Sequence, residues 1–353
     1  MPRTLTLRAG PHALAILRER GLRAEDVDIL PGASGGAKWL GIAGLDRYLF
    51  GTFLRGERPR PLHGIGSSIG SWRMACLAQR DPLAALARGH EAYIRHQVYT
   101  RKPSTREVTD VLTRCLDHLL GPTGAQEIVE NRRVRVHVIT AEARGPAASD
   151  RRAVLATAMA FAAAANAVSR RTLALQLRRT IFHAGGDDSP FLHLRDLPTA
   201  HHPLTADNAR AALLASGSIP LLLEGVRIPG TPGVHWDGGV TDYHLDLDYG
   251  AGDGLVLFPH FFDQVVPGWF DKSLPWRRAG ARNFARTLLI APSPQFVATL
   301  PGGKVPDRRD FYTLSDAERF VRWDRVNAMT TVLGEELHEL IETGRIADHV
   351  QPW

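Results

Sequence analysis

The sequence predicts an α/β fold built on a parallel-rich sheet that helices cover on both faces. Short apolar or β-branched runs alternate with segments of helical periodicity along all 353 residues. Several of these runs are apolar throughout, as expected for strands buried on both faces. A hydrophobic content of 44% is ample for one large core, and the chain shows no repeats or linker. We therefore expect one α/β domain over residues 1–353.

The predicted strands lie between turn-forming residues. They are Val27–Leu30, Leu62–Ile65, Val134–Thr140, Leu173–Phe182, Leu255–Pro259 and Thr287–Ala291. Since Val134–Thr140 alternates polar and apolar residues, we expect one of its faces to be more exposed.

The predicted helices repeat apolar residues at every third or fourth position. They are His12–Arg20, Trp39–Phe50, Ile69–Gln79, Arg152–Val168, Ala206–Ala215 and Asp316–Ile341. We also expect a helical insertion at about 80–131 and a C-terminal helical extension at about 300–353.

Composition excludes several functional classes. The net charge is +6, but the arginines are dispersed and often adjoin acids, which favours a solvated surface and no nucleic-acid partner. The two cysteines, Cys76 and Cys115, lack metal or redox spacing and predict reduced thiols. The N-terminal residues lack an apolar signal core, and the alanine-rich stretch at 153–165 is too short to span a bilayer. We expect a cytoplasmic protein that can contact a membrane surface transiently.

The most specific motif is Gly66-Ser67-Ser68-Ile69-Gly70, which fits Gly-x-Ser-x-Gly between a predicted strand and a predicted helix. Glycines on both sides of a serine permit the sharp turn that exposes its Oγ at the start of a helix. Ser68 is therefore the candidate nucleophile.

A second glycine-rich turn, Gly32-Ala33-Ser34-Gly35-Gly36, fits the same pattern around Ser34. Its backbone N–H groups could instead stabilise an oxyanion beside the positive end of the following helix. A Walker phosphate loop is excluded because Trp39 follows Lys38. The order of the two turns favours Ser68 as nucleophile and the earlier turn as its oxyanion loop.

Asp237, in His235-Trp236-Asp237-Gly238-Gly239, is the candidate base. The two glycines allow the backbone to approach closely, so the carboxylate could reach Ser68. Taken alone, the same residues also suit an ordinary Asp-Gly turn.

In this order, the motifs resemble those of the patatin-like phospholipases. That family has a glycine-rich oxyanion loop with a basic residue, here Lys38, then the Gly-x-Ser-x-Gly elbow and a distant Asp-Gly-Gly turn. The stretch Ala215-Ser216-Gly217-Ser218-Ile219-Pro220 is similar to another motif of that family. This chain departs from the pattern at Ser34, where the family usually has glycine, and at Trp39, where a small residue is common.

The resemblance implies a three-layer α/β/α fold and a serine acyl hydrolase that cleaves lipid acyl esters with a Ser68–Asp237 dyad and no cofactor or metal. The implied oxyanion donors are Gly35, Gly36, Ala37 and Ile69. The implied supporting residues are Lys38, Gly66, Gly70, Gly238 and Gly239. Burial would raise the pKa of Asp237 and make it a better base.

Other interpretations remain open at this stage. A Ser68–Asp237–histidine triad could use His244 or His260. The same dyad could serve an acyltransferase or thioesterase, and a catalytically poor member could bind a lipid or protein. Asp242, Asp246, Asp248 and Asp253 lack calcium-loop spacing and predict a solvated loop. The sequence leaves the acyl chain, the head group and the oligomeric state undetermined.

Overall fold

The structure, a computed structural model, describes residues 3–186, 189–250 and 252–353. Within these residues the strands form one ten-stranded, mostly parallel sheet, which confirms the α/β class. In sheet order the strands are β10 (Val350–Pro352), β1 (Leu5–Ala9), β9 (Thr287–Pro292), β8 (Leu255–Pro259), β2 (Val27–Gly32), β3 (Leu62–Ser67), β4 (Val134–Ala143), β5 (Leu177–His183) and β6 (Thr199–Pro203). The remaining strand, β7 (His235–Asp237), pairs with β4 alone.

Twelve α-helices are assigned within the described residues. They are α1 (Pro11–Arg20), α2 (Ala43–Tyr48), α3 (Ile69–Leu77), α4 (Pro82–Glu91), α5 (Thr105–Leu120), α6 (Gly124–Glu130), α7 (Arg152–Val168), α8 (Ala206–Ser216), α9 (Pro294–Thr299), α10 (Asp310–Thr313), α11 (Asp316–Met329) and α12 (Thr331–Glu342). Together with the sheet they are compatible with an α/β/α arrangement.

All six predicted strands exist, with two corrections. Residues 170–175 form a 3₁₀ turn, so the strand predicted over Leu173–Phe182 begins only at Leu177. The expected exposed face of Val134–Thr140 is wrong, because residues on both faces of β4 are buried.

The predicted helices also exist, but two are interrupted. A 3₁₀ turn over Gly36–Ile42 precedes α2, so the helix predicted over Trp39–Phe50 is shorter. The long helix predicted over Asp316–Ile341 breaks at Thr330 into α11 and α12. The break occurs where the Thr330 hydroxyl accepts a hydrogen bond from the backbone N–H of Gly44 in α2, at 2.9 Å.

The C-terminal extension is not helical to its end. After α12 the chain forms β10, which pairs in parallel with β1 at the sheet edge. Trp353 stacks on Phe284 with ring centroids 4.1 Å apart, and its N–H donates to the carbonyl of Ala9. Among the described residues, no helix has the length and apolar character needed to cross a membrane.

Candidate active site

Two glycine-rich loops meet at the carboxyl ends of β2 and β3. The strands are parallel neighbours, with Gly32 opposite Gly66, so the loops that follow them leave the same edge of the sheet. A Cβ on Gly70 would lie 1.8 Å from the carbonyl oxygen of Gly32, and one on Gly66 would lie 2.4 Å from the Gly70 carbonyl carbon. Positions 66 and 70 therefore have no room for a side chain, and the absence of one lets the two loops lie in contact.

Ser68 lies in the sharp turn between β3 and α3. Its backbone has φ 55° and ψ −131°, a combination that non-glycine residues rarely adopt and that costs roughly 1–3 kcal/mol. The Ser68 N–H donates to the Ser216 Oγ at 2.9 Å, and the Ser216 hydroxyl donates to the carbonyl of Ile139 at 2.7 Å. The strained turn is thus held by a buried serine from α8.

The register of β4 explains how Asp237 reaches Ser68. β3 pairs with β4 only as far as Ser67 opposite Ile139, and β7 then takes the vacant place with Asp237 opposite Thr140. Asp237 therefore lies just beyond the end of β3, where the chain turns at Ser68. The Ser68 hydroxyl donates to Asp237 Oδ2 at 2.8 Å.

The second carboxylate oxygen of Asp237 has its own partner. Oδ1 accepts the N–H of Gly239 at 2.6 Å, and the N–H of Asp237 donates to the Ser218 carbonyl at 2.8 Å. A Cβ on Gly238 would lie 2.2 Å from the Ile139 carbonyl oxygen. The Asp-Gly-Gly sequence thus fixes the carboxylate against the serine, and both glycines are required by close contacts.

Burial raises the pKa of Asp237 to about 6. The carboxylate is 4% exposed, and the loss of hydration outweighs the opposing effects of the Ser68 and Gly239 hydrogen bonds and of Arg308 and Lys272. A carboxylate with this pKa is ionised at neutral pH and is a better proton acceptor than an exposed aspartate.

The earlier glycine-rich loop presents backbone donors. Within the described part of the chain, the N–H groups of Gly35, Gly36, Ala37 and Ile69 donate to no protein acceptor. Gly36 has φ +56°, which favours glycine, and a Cβ on Gly35 would lie 2.5 Å from the ring of Phe261. These groups are available to an anion, as an oxyanion loop requires.

Ser34, the competing serine, has a structural position. It is 2% exposed, and its Oγ lies 2.8 Å from the Ser67 Oγ, whose hydroxyl donates to the carbonyl of Asp242. The Ser34 N–H donates to the Tyr243 carbonyl at 2.8 Å. Ser34 thus joins the earlier glycine-rich loop to β3 and to the segment after Asp237.

Three basic residues, Lys38, Lys272 and Arg308, lie in the region of Tyr243 and Asp237. Lys38 donates to the Tyr243 hydroxyl at 3.3 Å, and the Lys272 ammonium lies 4.0 Å from the centre of the Tyr243 ring. Partial burial, together with Lys38 and Arg308, lowers the pKa of Lys272 to about 7. In the described residues none of the three side chains forms a salt bridge, so this cluster can accept a negative charge.

Neither candidate histidine contacts the dyad by a hydrogen bond. His244 Nδ1 accepts the N–H of Val266 at 3.1 Å, and His260 Nδ1 donates to the carbonyl oxygen of Phe262 at 2.6 Å. Burial lowers the pKa of both, to about 3 for His260. The Ser–Asp contact is direct, and no histidine stands between the two side chains.

The expected solvated acidic loop is wrong for Asp242. This residue is 1% exposed and forms a salt bridge with the buried Arg179, which also binds Asp196. Asp246 accepts a hydrogen bond from Asn283. Among the described residues, no group of three or more histidine, cysteine or acidic side chains could hold a metal ion.

Sequence reasoning missed the roles of Ser216, Tyr243 and Lys272. Ser216 lies in a stretch that carried the family resemblance, so its motif could have indicated a role beside Ser68. Tyr243 and Lys272 lie outside every motif, and only the fold brings them to the site.

The comparisons with known proteins add no identification. No protein-family model matches the chain, and no curated protein matches it by sequence.

Proposed function

We propose that this chain is a serine acyl hydrolase of the patatin-like type, which cleaves acyl esters of lipids through an acyl-enzyme. The observation that carries the proposal is the 2.8 Å hydrogen bond from the Ser68 hydroxyl, in its strained turn, to the buried carboxylate of Asp237. A serine and its base in direct contact are the minimum needed for nucleophilic acyl transfer. The α/β/α layering of that family is part of the proposal.

In the first half of the proposed reaction, Asp237 accepts the proton of Ser68 while Oγ attacks the ester carbonyl. The negative charge that develops on the carbonyl oxygen is stabilised by the free N–H groups of Gly35, Gly36, Ala37 and Ile69. When the tetrahedral intermediate collapses, the alcohol leaves and takes the proton from Asp237.

In the second half, Asp237 removes a proton from water, which attacks the acyl-serine. The collapse of this second intermediate releases the fatty acid and returns the proton to Ser68. Since an ionised Asp237 is needed in both halves, activity should fall as the pH drops below about 6.

The cations near the dyad support an acyl ester with an anionic head group. Among the described residues Lys38, Lys272 and Arg308 are not held in salt bridges, so they could bind a phosphate near Asp237. Their position next to Asp237 fits a phospholipid better than a neutral ester.

Fluorophosphonate labelling followed by peptide mapping tests the proposal. We expect the label on Ser68, its loss in Ser68→Ala, and an esterase rate at least ~10⁴-fold lower in that variant. Ser34→Ala is the comparison variant and should keep the label on Ser68, with activity lowered only as far as the lost hydrogen bond to Ser67 loosens the loop. A label on Ser34, or full activity in Ser68→Ala, would contradict the assignment.

A further inference from the structure

The exposed face of α7 after Arg152 is uncharged, and Thr157 is the one polar side chain exposed on it. From Ala153 to Val168 the helix contains no charged residue, although a solvent-facing helix normally has a polar outer face. Phe161 is 53% exposed and Val168 is 85% exposed. These two residues are seven positions apart, so they lie on the same side of the helix.

The apolar face continues onto neighbouring segments. Leu175, in the 3₁₀ turn after α7, is 64% exposed, and Trp276 is 72% exposed. Arg277, next to Trp276, donates to the carbonyl of Ala167 at 3.0 Å, which places the Trp276 loop at the C-terminal end of α7. We call Phe161, Val168, Leu175 and Trp276 together the α7 face.

Positive charge flanks the α7 face. The span from Arg144 to Arg171 contains five arginines and a single acidic residue, Asp150. Arg151, Arg152 and Arg171 are exposed at the two ends of α7. An apolar helix face with arginines at its ends complements the interface of an anionic lipid surface.

Buried polar contacts join the α7 face to the catalytic dyad. Asp271, which is fully buried, accepts hydrogen bonds from Asn166 and Arg170, both at 2.7 Å. Arg170 also donates to the carbonyl of Thr241, four residues after Asp237, at 2.8 Å. Lys272, which follows Asp271, lies over the Tyr243 ring beside the dyad. Hydrogen bonds through Asp271 and Arg170 thus connect the helix to the segment that follows Asp237.

We propose that the α7 face is a docking surface for an anionic lipid bilayer, with Phe161, Val168 and Trp276 inserted at the interface and the flanking arginines on the head groups. The choice of a bilayer as occupant rests on the proposed function. The apolar face, the arginines at its ends and the connection to the dyad are independent of it.

Vesicle flotation tests the docking surface. Ser68→Ala protein is mixed with vesicles of phosphatidylcholine alone or of an equimolar mixture with phosphatidylglycerol. We expect binding to the anionic vesicles, weaker binding at high salt, and at least ~10-fold weaker binding by Phe161→Gln/Val168→Gln. Glutamine retains helix propensity, so this variant should keep its fold.

Val321→Gln on α11 is the matched control, because Val321 is 70% exposed on another helix. It should bind vesicles like the parent protein. In an active background, Phe161→Gln/Val168→Gln should lose hydrolysis of vesicle lipids but keep hydrolysis of a dissolved short-chain ester.

Three results would overturn the docking proposal. They are no binding of the parent protein to anionic vesicles, equal binding by the double variant, or a dimer in sedimentation experiments that the double variant converts to monomer. Because flotation uses the Ser68→Ala protein, a failure of docking is distinguishable from a failure of the hydrolase assignment, which the labelling experiment reports.

Discussion

At the scale of single residues, burial of Asp237 makes its carboxylate a stronger base and destabilises the folded protein at neutral pH. The pKa of its carboxyl is raised from about 3.8 in an unfolded chain to about 6, so ionisation opposes folding in this group. Its favourable contribution to stability is complete below about pH 3.8 and disappears as the pH rises through about 6. At neutral pH the buried charge therefore costs up to about 3 kcal/mol.

Asp237→Asn should abolish esterase activity and labelling without lowering the melting temperature. The amide removes the buried charge, and its oxygen can still accept the Gly239 N–H. We expect a free energy of unfolding equal to that of the parent protein or higher by up to about 3 kcal/mol, measured by urea denaturation at pH 7. Asp196→Asn, which weakens a salt bridge to Arg179, is the control and should destabilise the protein. A strongly destabilised Asp237→Asn would show that the carboxylate supports the fold.

At this scale, contacts could be predicted from the sequence where a tight turn restricts which residue types fit. Ser68 and Asp237 each adjoin glycines, and the structure brings their side chains into contact as expected. The roles of Tyr243 and Lys272 could not be predicted, because their contact with the site depends on the path of the chain after Asp237. Lys38 belongs to the glycine-rich loop motif, but its hydrogen bond to Tyr243 also depends on the path of the chain after Asp237.

At the scale of elements, close contact between β2, β3 and α3 forms the site. Buried Asp46 of α2 strengthens this arrangement, because it accepts hydrogen bonds from Arg73 of α3 and from the indole of Trp39. Trp39, the departure from the family pattern, thus has a polar partner in the core. It connects the oxyanion loop to the helix that follows Ser68.

Gly70→Ala should disrupt the site, because the added Cβ would lie 1.8 Å from the Gly32 carbonyl oxygen. Backbone cannot move aside as a flexible side chain can, so we expect a loss of 3 kcal/mol or more, estimated as ~1–3 kcal/mol for overpacking plus the strain of separating α3 from the end of β2. Thermal unfolding and fluorophosphonate labelling measure the two effects. Gly56→Ala is the control, since no atom lies within 4 Å of its Cβ. Wild-type labelling by Gly70→Ala would mean that the two loops need not touch.

The elements that sequence reasoning missed are short and depend on tertiary pairing. β1, β6 and β10 have three to five residues each and are defined by their pairing with neighbouring strands. Asp237 ends β7 only because β4 extends beyond β3. The predictions of the longer strands were confirmed, because a continuous apolar run is typical of a strand that is buried on both faces of a sheet.

At the scale of the whole molecule, stability depends on histidines that the fold keeps neutral. His90, His235 and His260 are at most 5% exposed, and burial lowers their pKa values to about 3, 4 and 3. An unfolded chain binds protons at these residues below about pH 6.5, whereas the folded chain does not. Their stabilising effect is therefore complete above about pH 6.5 and is lost as the pH falls toward 3–4.

Between pH 7 and pH 5.5, protonation of the unfolded chain at each of these histidines should lower the free energy of unfolding by slightly more than 1 kcal/mol. Protonation of Asp237 in the folded chain should raise it by slightly less than 1 kcal/mol. These four groups together should lower the free energy of unfolding by about 3 kcal/mol over this interval. His137 and His244, whose pKa values burial also lowers, should lower it further, and urea denaturation at each pH measures the total. His90→Gln should flatten the dependence by about one proton. Activity also falls in this range as Asp237 is protonated, but that loss reverses at once when the protein returns to pH 7. A free energy of unfolding that stays constant from pH 7 to pH 5.5 would mean that the buried histidines accept protons in the folded state.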